Sequence, residues 1–124
     1  MRWTPKTEGE PMYNEKMGKT WSNILDFNNK YFPNWRSVDE VYYSNALAGE
    51  VGELCNAVKH RAGGGTNKSR PSAHELAEEC ADIFIYMSML LEKQGIDIML
   101  FDDIINEKVE KNARRMESHN NGGK

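Results

Sequence analysis

Two pairs of carboxylates set inside apolar helical text limit what this chain can fold into more than any other feature. The first pair is Glu50 and Glu53, in Ala46-Leu47-Ala48-Gly49-Glu50-Val51-Gly52-Glu53-Leu54. The second is Glu79 and Asp82, in Glu79-Cys80-Ala81-Asp82-Ile83-Phe84-Ile85-Tyr86. Residues three apart on an α-helix share a face, with Cβ atoms ~5–6 Å apart. Each pair therefore aims two carboxylates at one spot. Acids on an otherwise apolar face are costly to desolvate without a compensating partner. The fold must either leave both faces in water or bring the two helices together around a cation.

The text around these pairs reads as helices and connectors. Trp21, Ile24, Leu25, Asn28, Tyr31 and Phe32 follow three-and-four spacing in a helix that begins near Met17. Pro33 ends it, because the residue before a proline disfavours the helical conformation. Asn34-Trp35-Arg36-Ser37 is a short connector. A second helix opens at Ser37 or Asp39, with Ser37 and Glu40 spaced as a capping box. It runs to about Arg61 and stops at Gly63-Gly64-Gly65. Leu47, Val51, Leu54 and Val58 form its apolar stripe, and Ala46, Glu50, Glu53 and Ala57 the stripe beside it. Gly49 and Gly52 each cost ~1 kcal/mol against alanine in a helix interior, which close approach of another helix or a ligand would compensate.

Residues 62–71 read as a flexible connector. No strand precedes their glycines and no Gly-Lys-Ser/Thr follows, so they are not a phosphate loop, although Lys68 and Arg70 can reach an anionic ligand. Ser72 with Glu75 is a second capping box, opening a third helix that ends near Gln94 before Gly95. Its apolar residues extend almost all round, as in a central helix. Asp97 caps a fourth helix, from about Ile98 to Met116, with Leu100, Phe101, Ile104, Ile105 and Val109 as its apolar face. There is no strand alternation and no internal repeat. The expectation is an all-α domain of four main helices over residues 17–116, with an irregular arm over 1–16 and a disordered tail over 117–124.

Bulk properties narrow the function. A length of 124 residues suits one domain. The formal net charge of −3 supplies no basic field, which argues against a nucleic-acid partner. Apolar residues are 39%, thin enough that either the ends are loose or a partner subunit completes the core. Cys55 and Cys80 form no Cys-x-x-Cys pair, which excludes a zinc ribbon or a dithiol redox motif. No apolar run is long enough to span a bilayer, and Met1-Arg2-Trp3-Thr4-Pro5 lacks a signal-peptide core. The expected setting is cytoplasmic, with no membrane partner.

If the second and third helices pack side by side, four carboxylates converge, and like charges raise each other's pKa values. A divalent cation resolves the conflict. Oxygen-only ligation selects a hard ion, Mg²⁺ or Mn²⁺ ahead of Ca²⁺. The competing reading is a solvated acidic stripe. A di-iron carboxylate bundle would need Glu-x-x-His, and none of His60, His74 and His119 has a glutamate three residues before it. On the fourth helix Lys108, Asn112 and Arg115 share a face by steps of four and three. Beside a metal cluster such a face meets phosphate oxygens, with lysine as a point charge and arginine as a fork. Lys59 and Arg61 can do the same. The alternative is a solvated face shared with Glu107 and Glu110.

Taken in order, the two acid-bearing segments followed by Lys108-Val109-Glu110-Lys111-Asn112-Ala113-Arg114-Arg115 resemble the MazG-like all-α nucleoside triphosphate pyrophosphohydrolases. The family pattern is Glu-x-x-Glu, a gap, Glu-x-x-Asp, then a later Lys and Asn, and the resemblance covers roughly residues 17 to 116. It implies hydrolysis of a (d)NTP between the α- and β-phosphates, giving a monophosphate and pyrophosphate. It implies Mg²⁺ on Glu50, Glu53, Glu79 and Asp82, with Glu50 or Glu53 acting on the attacking water. It implies phosphate contacts from Lys108 and Asn112, with Arg115 on the same face. It also implies a four-helix bundle completed by a homodimer or homotetramer. Trp35, Phe32, Tyr42 and Tyr43 lie where members of the family carry base-contacting aromatics, and plain core packing is the alternative for each. The long Gly-rich connector departs from the family. A dimeric dUTPase, a phosphoribosyl-ATP pyrophosphohydrolase and a non-catalytic helical interaction module are the competing functions.

Overall fold

The computed structural model describes residues 13–64 and 70–122. Four α-helices and no strand occur among them: α1 (Tyr13–Tyr31), α2 (Glu40–Lys59), α3 (Ala73–Lys93) and α4 (Ile98–Gly122). The all-α expectation holds. A one-turn 3₁₀ helix, Trp35–Ser37, lies between α1 and α2. The expected arm over 1–12, the connector residues 65–69 with Lys68, and residues 123 and 124 lie outside the described residues.

Most helix ends follow local chemistry. α1 closes before Pro33, and Phe32 N–H still reaches the Asn28 carbonyl at 2.8 Å. Asp39 caps α2, its carboxylate accepting from Val41 N–H at 2.8 Å. Ser37 does not cap it: its hydroxyl donates to the Asn34 carbonyl at 2.8 Å within the 3₁₀ turn. The Ser72–Glu75 capping box is present with both bonds made. Gly95 takes φ +77 after α3, a left-handed conformation that suits glycine. Asp97 accepts from Leu100 N–H at 2.9 Å at the start of α4.

Two ends differ from expectation. α1 begins at Tyr13, so residues 13–16 are helix and not arm. Glu15 in the first turn favours that extension, since an anion suits a helix N-terminus. α4 runs past Met116 to Gly122, so residues 117–122 are helix and not tail. Glu117 to Asn121 contains weak helix formers but no proline or glycine, and nothing stops the helix before Gly122.

The chain divides into two compact units, residues 24–95 and residues 1–23 with 96–124. In the second of these, Trp21 is buried and its ring lies 6.3 Å from that of Phe101. The first unit holds α2 and α3 packed along their length. Its core is Trp35, Tyr43 and Met89, with Leu25, Val38, Ile85, Tyr86 and Leu90 packed against them. The segment before α2 and the first residue of α2 are held to the end of α3 by three contacts. Lys93 Nζ donates to the Arg36 carbonyl at 2.6 Å, Gln94 Nε2 donates to Glu40 at 2.6 Å, and Arg36 pairs with Glu92 at 3.9 Å.

The face that α2 turns inward is not the expected apolar stripe. The enclosed row is Tyr43, Leu47, Glu50 and Leu54, flanked by Ala46 and Ala57. Val51 and Val58 are exposed. Gly49 and Gly52 have open space where a Cβ would stand, so among the described residues no helix approaches them closely. α3 answers with the row Glu79, Ile83, Tyr86 and Leu90. An acid thus sits within each of the two facing rows.

Candidate metal centre

The two rows carry the acid pairs together. One carboxylate oxygen from each of Glu50, Glu53 and Glu79 lies within 4.8 Å of the other two. Glu50 and Glu79 are partly buried, and each has an Oε2 shut off from solvent with no hydrogen-bond partner among the described residues. Glu53 is exposed at the edge of the cluster. Asp82 is exposed and stands outside that trio, yet its charge acts on both buried acids.

Electrostatics agree with the geometry. Burial raises the Glu50 carboxyl above its ordinary 4.5, and the charges of Glu53, Asp82 and Glu79 add to the effect. Burial raises Glu79 as well, reinforced by Glu53, Asp82 and Glu78. A side-chain hydrogen bond with Glu53 contributes to both shifts, and a solvated stripe would not enclose the two Oε2 atoms in this way. An all-oxygen donor set suits a hard divalent cation.

Beside the acids opens a cavity of about 810 Å³, lined within the first unit by Glu50 and Asp82 and otherwise mostly by aromatic and apolar side chains. This is the size and character of a small-ligand site. Phe27, Phe32 and Tyr42 line it and are more than half exposed, so their rings are open to a ligand. Trp35 also lines it but is only 2% exposed. Its Nε1–H donates to Asn29 Oδ1 at 2.8 Å, the Arg36 guanidinium lies 4.2 Å over its ring, and its carbonyl accepts from the Tyr43 hydroxyl at 2.6 Å. That ring is a core element first, and the open faces belong to its neighbours.

The remaining sequence candidates are dispersed. Lys59 is exposed in the last turn of α2. Lys108, Asn112 and Arg115 are exposed on α4, which belongs to the other compact unit. The neighbouring Arg114 is the residue that approaches Glu110, at 4.0 Å. Glu78 pairs with His74 at 3.2 Å on the surface. Tyr86 is a cavity residue that sequence reasoning assigned to the core alone. Burial raises its hydroxyl pKa, with Tyr42, Glu50 and Asp82 contributing, so it stands near the acids. The available signal was its position four residues after Asp82, on the same face. Asn28 is the other omission: it is 2% exposed, lines the cavity, and interrupts an otherwise apolar stripe of α1.

No curated protein and no solved structure matches the chain. A family model does, the MazG nucleotide pyrophosphohydrolase domain, over residues 40–119. The match starts at the first residue of α2 and reaches the last turn of α4, taking in both acid pairs. With well over half of its residues matched, and the paired acidic helices in place, the chain belongs to the MazG nucleotide pyrophosphohydrolase domain family.

Proposed function

We propose that this chain is a divalent-metal-dependent hydrolase of nucleoside triphosphates. It cleaves a (d)NTP between the α- and β-phosphates, releasing the monophosphate and pyrophosphate, and so adjusts a nucleotide pool. The observation that carries the reading is the pair of stranded oxygens on Glu50 and Glu79, brought to Glu53 beside a cavity of nucleotide size.

Glu50, Glu53, Glu79 and Asp82 hold the ion, Mg²⁺ or Mn²⁺. When bound, it neutralises triphosphate charge and stabilises the departing pyrophosphate. Glu50 or Glu53 orients the attacking water and accepts its proton. Lys108, Asn112 and Arg115 take phosphate oxygens, with Lys59 as a further cation. The exposed rings of Tyr42 and Phe32 offer stacking faces to the base, and the buried Trp35 lines the same cavity. Exposed apolar side chains on α2 and α4, among them Val51, Val58, Leu100, Ile105 and Val109, support a homodimer or homotetramer. Among the described residues no helix is long and apolar enough to cross a membrane.

The test is pyrophosphate release from a full panel of canonical and modified (d)NTPs with Mg²⁺ or Mn²⁺, for wild type and for Glu53→Gln. The expected result is metal-dependent release that the substitution abolishes. Silence across the whole panel would sink the proposal. Titration calorimetry with Mg²⁺ separates it from the interaction-module alternative, which expects no heat and no effect of Glu53→Gln.

A further inference from the structure

Asn28 carries information beyond the hydrolytic chemistry. It lies on α1, ahead of the segment that the family model matches, so it belongs to the part of the cavity that the family assignment leaves open. The side chain is 2% exposed, and its Nδ2 is shut off from solvent with no hydrogen-bond partner among the described residues. A buried amide donor left unmatched is rare, because the loss of its hydrogen bonds to water goes uncompensated. Ser88, equally enclosed in the same unit, shows the usual solution: its hydroxyl donates to the Phe84 carbonyl at 2.7 Å.

The surroundings define the missing acceptor. Asn28 lines the cavity with the rings of Phe27, Phe32, Trp35 and Tyr42, while Glu50 and Asp82 line it from the two acid-bearing helices. Phosphates and their cation belong with the acids, which leaves the ring-lined wall for the planar part of a ligand. A primary amide lining such a wall can donate to an acceptor at the edge of a flat heterocycle, and an exocyclic oxo group, with two lone pairs and a broad range of approach, is the more permissive acceptor than a ring nitrogen with one. A site built to hydrogen-bond a substrate group also rejects the analogue that lacks it.

We propose that Asn28 is a specificity-determining residue whose Nδ2 donates to an exocyclic oxo group of the nucleobase. The preferred substrates are then pyrimidine or 6-oxopurine nucleotides, and adenine nucleotides are disfavoured. This rests on the nucleotide reading of the cavity but not on the hydrolytic step.

The test is calorimetric binding of dCMP, dUMP, dGMP and dAMP in Mg²⁺ to wild type, Asn28→Leu and Asn28→Ala, with a thermal melt of each protein. Wild type is expected to bind at least one oxo-base monophosphate about tenfold more tightly than dAMP. Both variants should lose that preference. Asn28→Leu should melt no lower than wild type, since an apolar group of similar shape replaces a donor that has no protein partner. The pattern among dCMP, dUMP and dGMP distinguishes a pyrimidine from a 6-oxopurine. A wild type without preference, a preference that survives both substitutions, or an equal loss of all four ligands together with a lowered melt would each overturn the assignment. Oxo-base preference without pyrophosphate release from the triphosphates would support Asn28 and overturn the hydrolase reading. Base-blind release by wild type and variants alike would do the reverse.

Discussion

Trp35→Phe separates the two roles open to the aromatic residues before α2. The side chain is 2% exposed at the centre of the first unit's core. Phenylalanine is smaller by about 40 Å³, and at ~24 cal/mol per Å³ of residual cavity this costs ~1 kcal/mol. Roughly 40 Å² of lost apolar burial at ~25 cal/mol/Å² adds ~1 kcal/mol. The bond from Nε1 to Asn29 contributes less, about 0.5 kcal/mol, because Asn29 is exposed and turns to water when it is lost. The sum is about 2 to 2.5 kcal/mol. For 124 residues the unfolding entropy is ~0.26 kcal/mol/K, so the melting temperature should fall by about 8–10 °C. Tyr42 is the control, since it is 58% exposed on the same cavity. Tyr42→Ala should shift the melt little, and should raise KM for the preferred triphosphate about tenfold through lost stacking. The assays are differential scanning calorimetry and steady-state pyrophosphate release. A Trp35→Phe protein that melts within about 1 °C of wild type while KM rises would refute the core assignment.

Other expectations concern the acids and the helix ends. The folded pKa values of Glu50 and Glu79 lie above the ordinary 4.5, so in the window just above that value the folded chain binds more protons than the unfolded one. Stability without metal therefore falls as pH rises through that window, and melts in EDTA from pH 4.5 to 8 should show that slope. Adding Mg²⁺ at neutral pH should raise the melt, and a melt insensitive to both pH and metal would count against the centre. Glu79→Gln should melt higher than wild type in EDTA at pH 7.5, because it removes a charge that burial and its neighbours disfavour, and Mg²⁺ should then stabilise it little. Ser72→Ala removes the hydroxyl half of the α3 capping box and should cost about 1 kcal/mol, or about 4 °C, with no metal dependence.

What could be read from the sequence was local. Asp97, Gly95 and the Ser72–Glu75 pair mark helix ends by chemistry confined to a turn, and each stands as expected. The approach of Glu50, Glu53 and Glu79 follows from that spacing of three, which fixes the face, while Asp82, expected with them, stands outside the trio. The start of α2 was ambiguous between two good caps, and a distant contact favours Asp39: Glu40, needed for a box with Ser37, instead accepts from Gln94. Trp35 stood between base contact and core packing because it sits in a connector, and the structure buries it beside Arg36, which Lys93 and Glu92 hold from the end of α3. The inward rotation of α2 by one stripe depends on which neighbour it meets, and no periodicity within a single helix records that. Asn28 passed as filler because one polar residue in an apolar stripe resembles noise until its amide is seen to lack a partner.

The turn after α2 bears on how this domain can diverge. Gly63 bends the chain at φ +88, and Arg61 Nη1 holds the Pro71 carbonyl at 3.0 Å. This clasp joins the end of α2 to the residue before the α3 cap. Among the described residues, the α2–α3 seam and this clasp are what tie the helix of Glu50 to the helix of Glu79. Doubling the length of the connector costs only ~0.6 kcal/mol in closure entropy. A lengthened connector should therefore leave the metal-dependent rise in melting temperature intact, because the contacts that tie the two acid-bearing helices lie outside it.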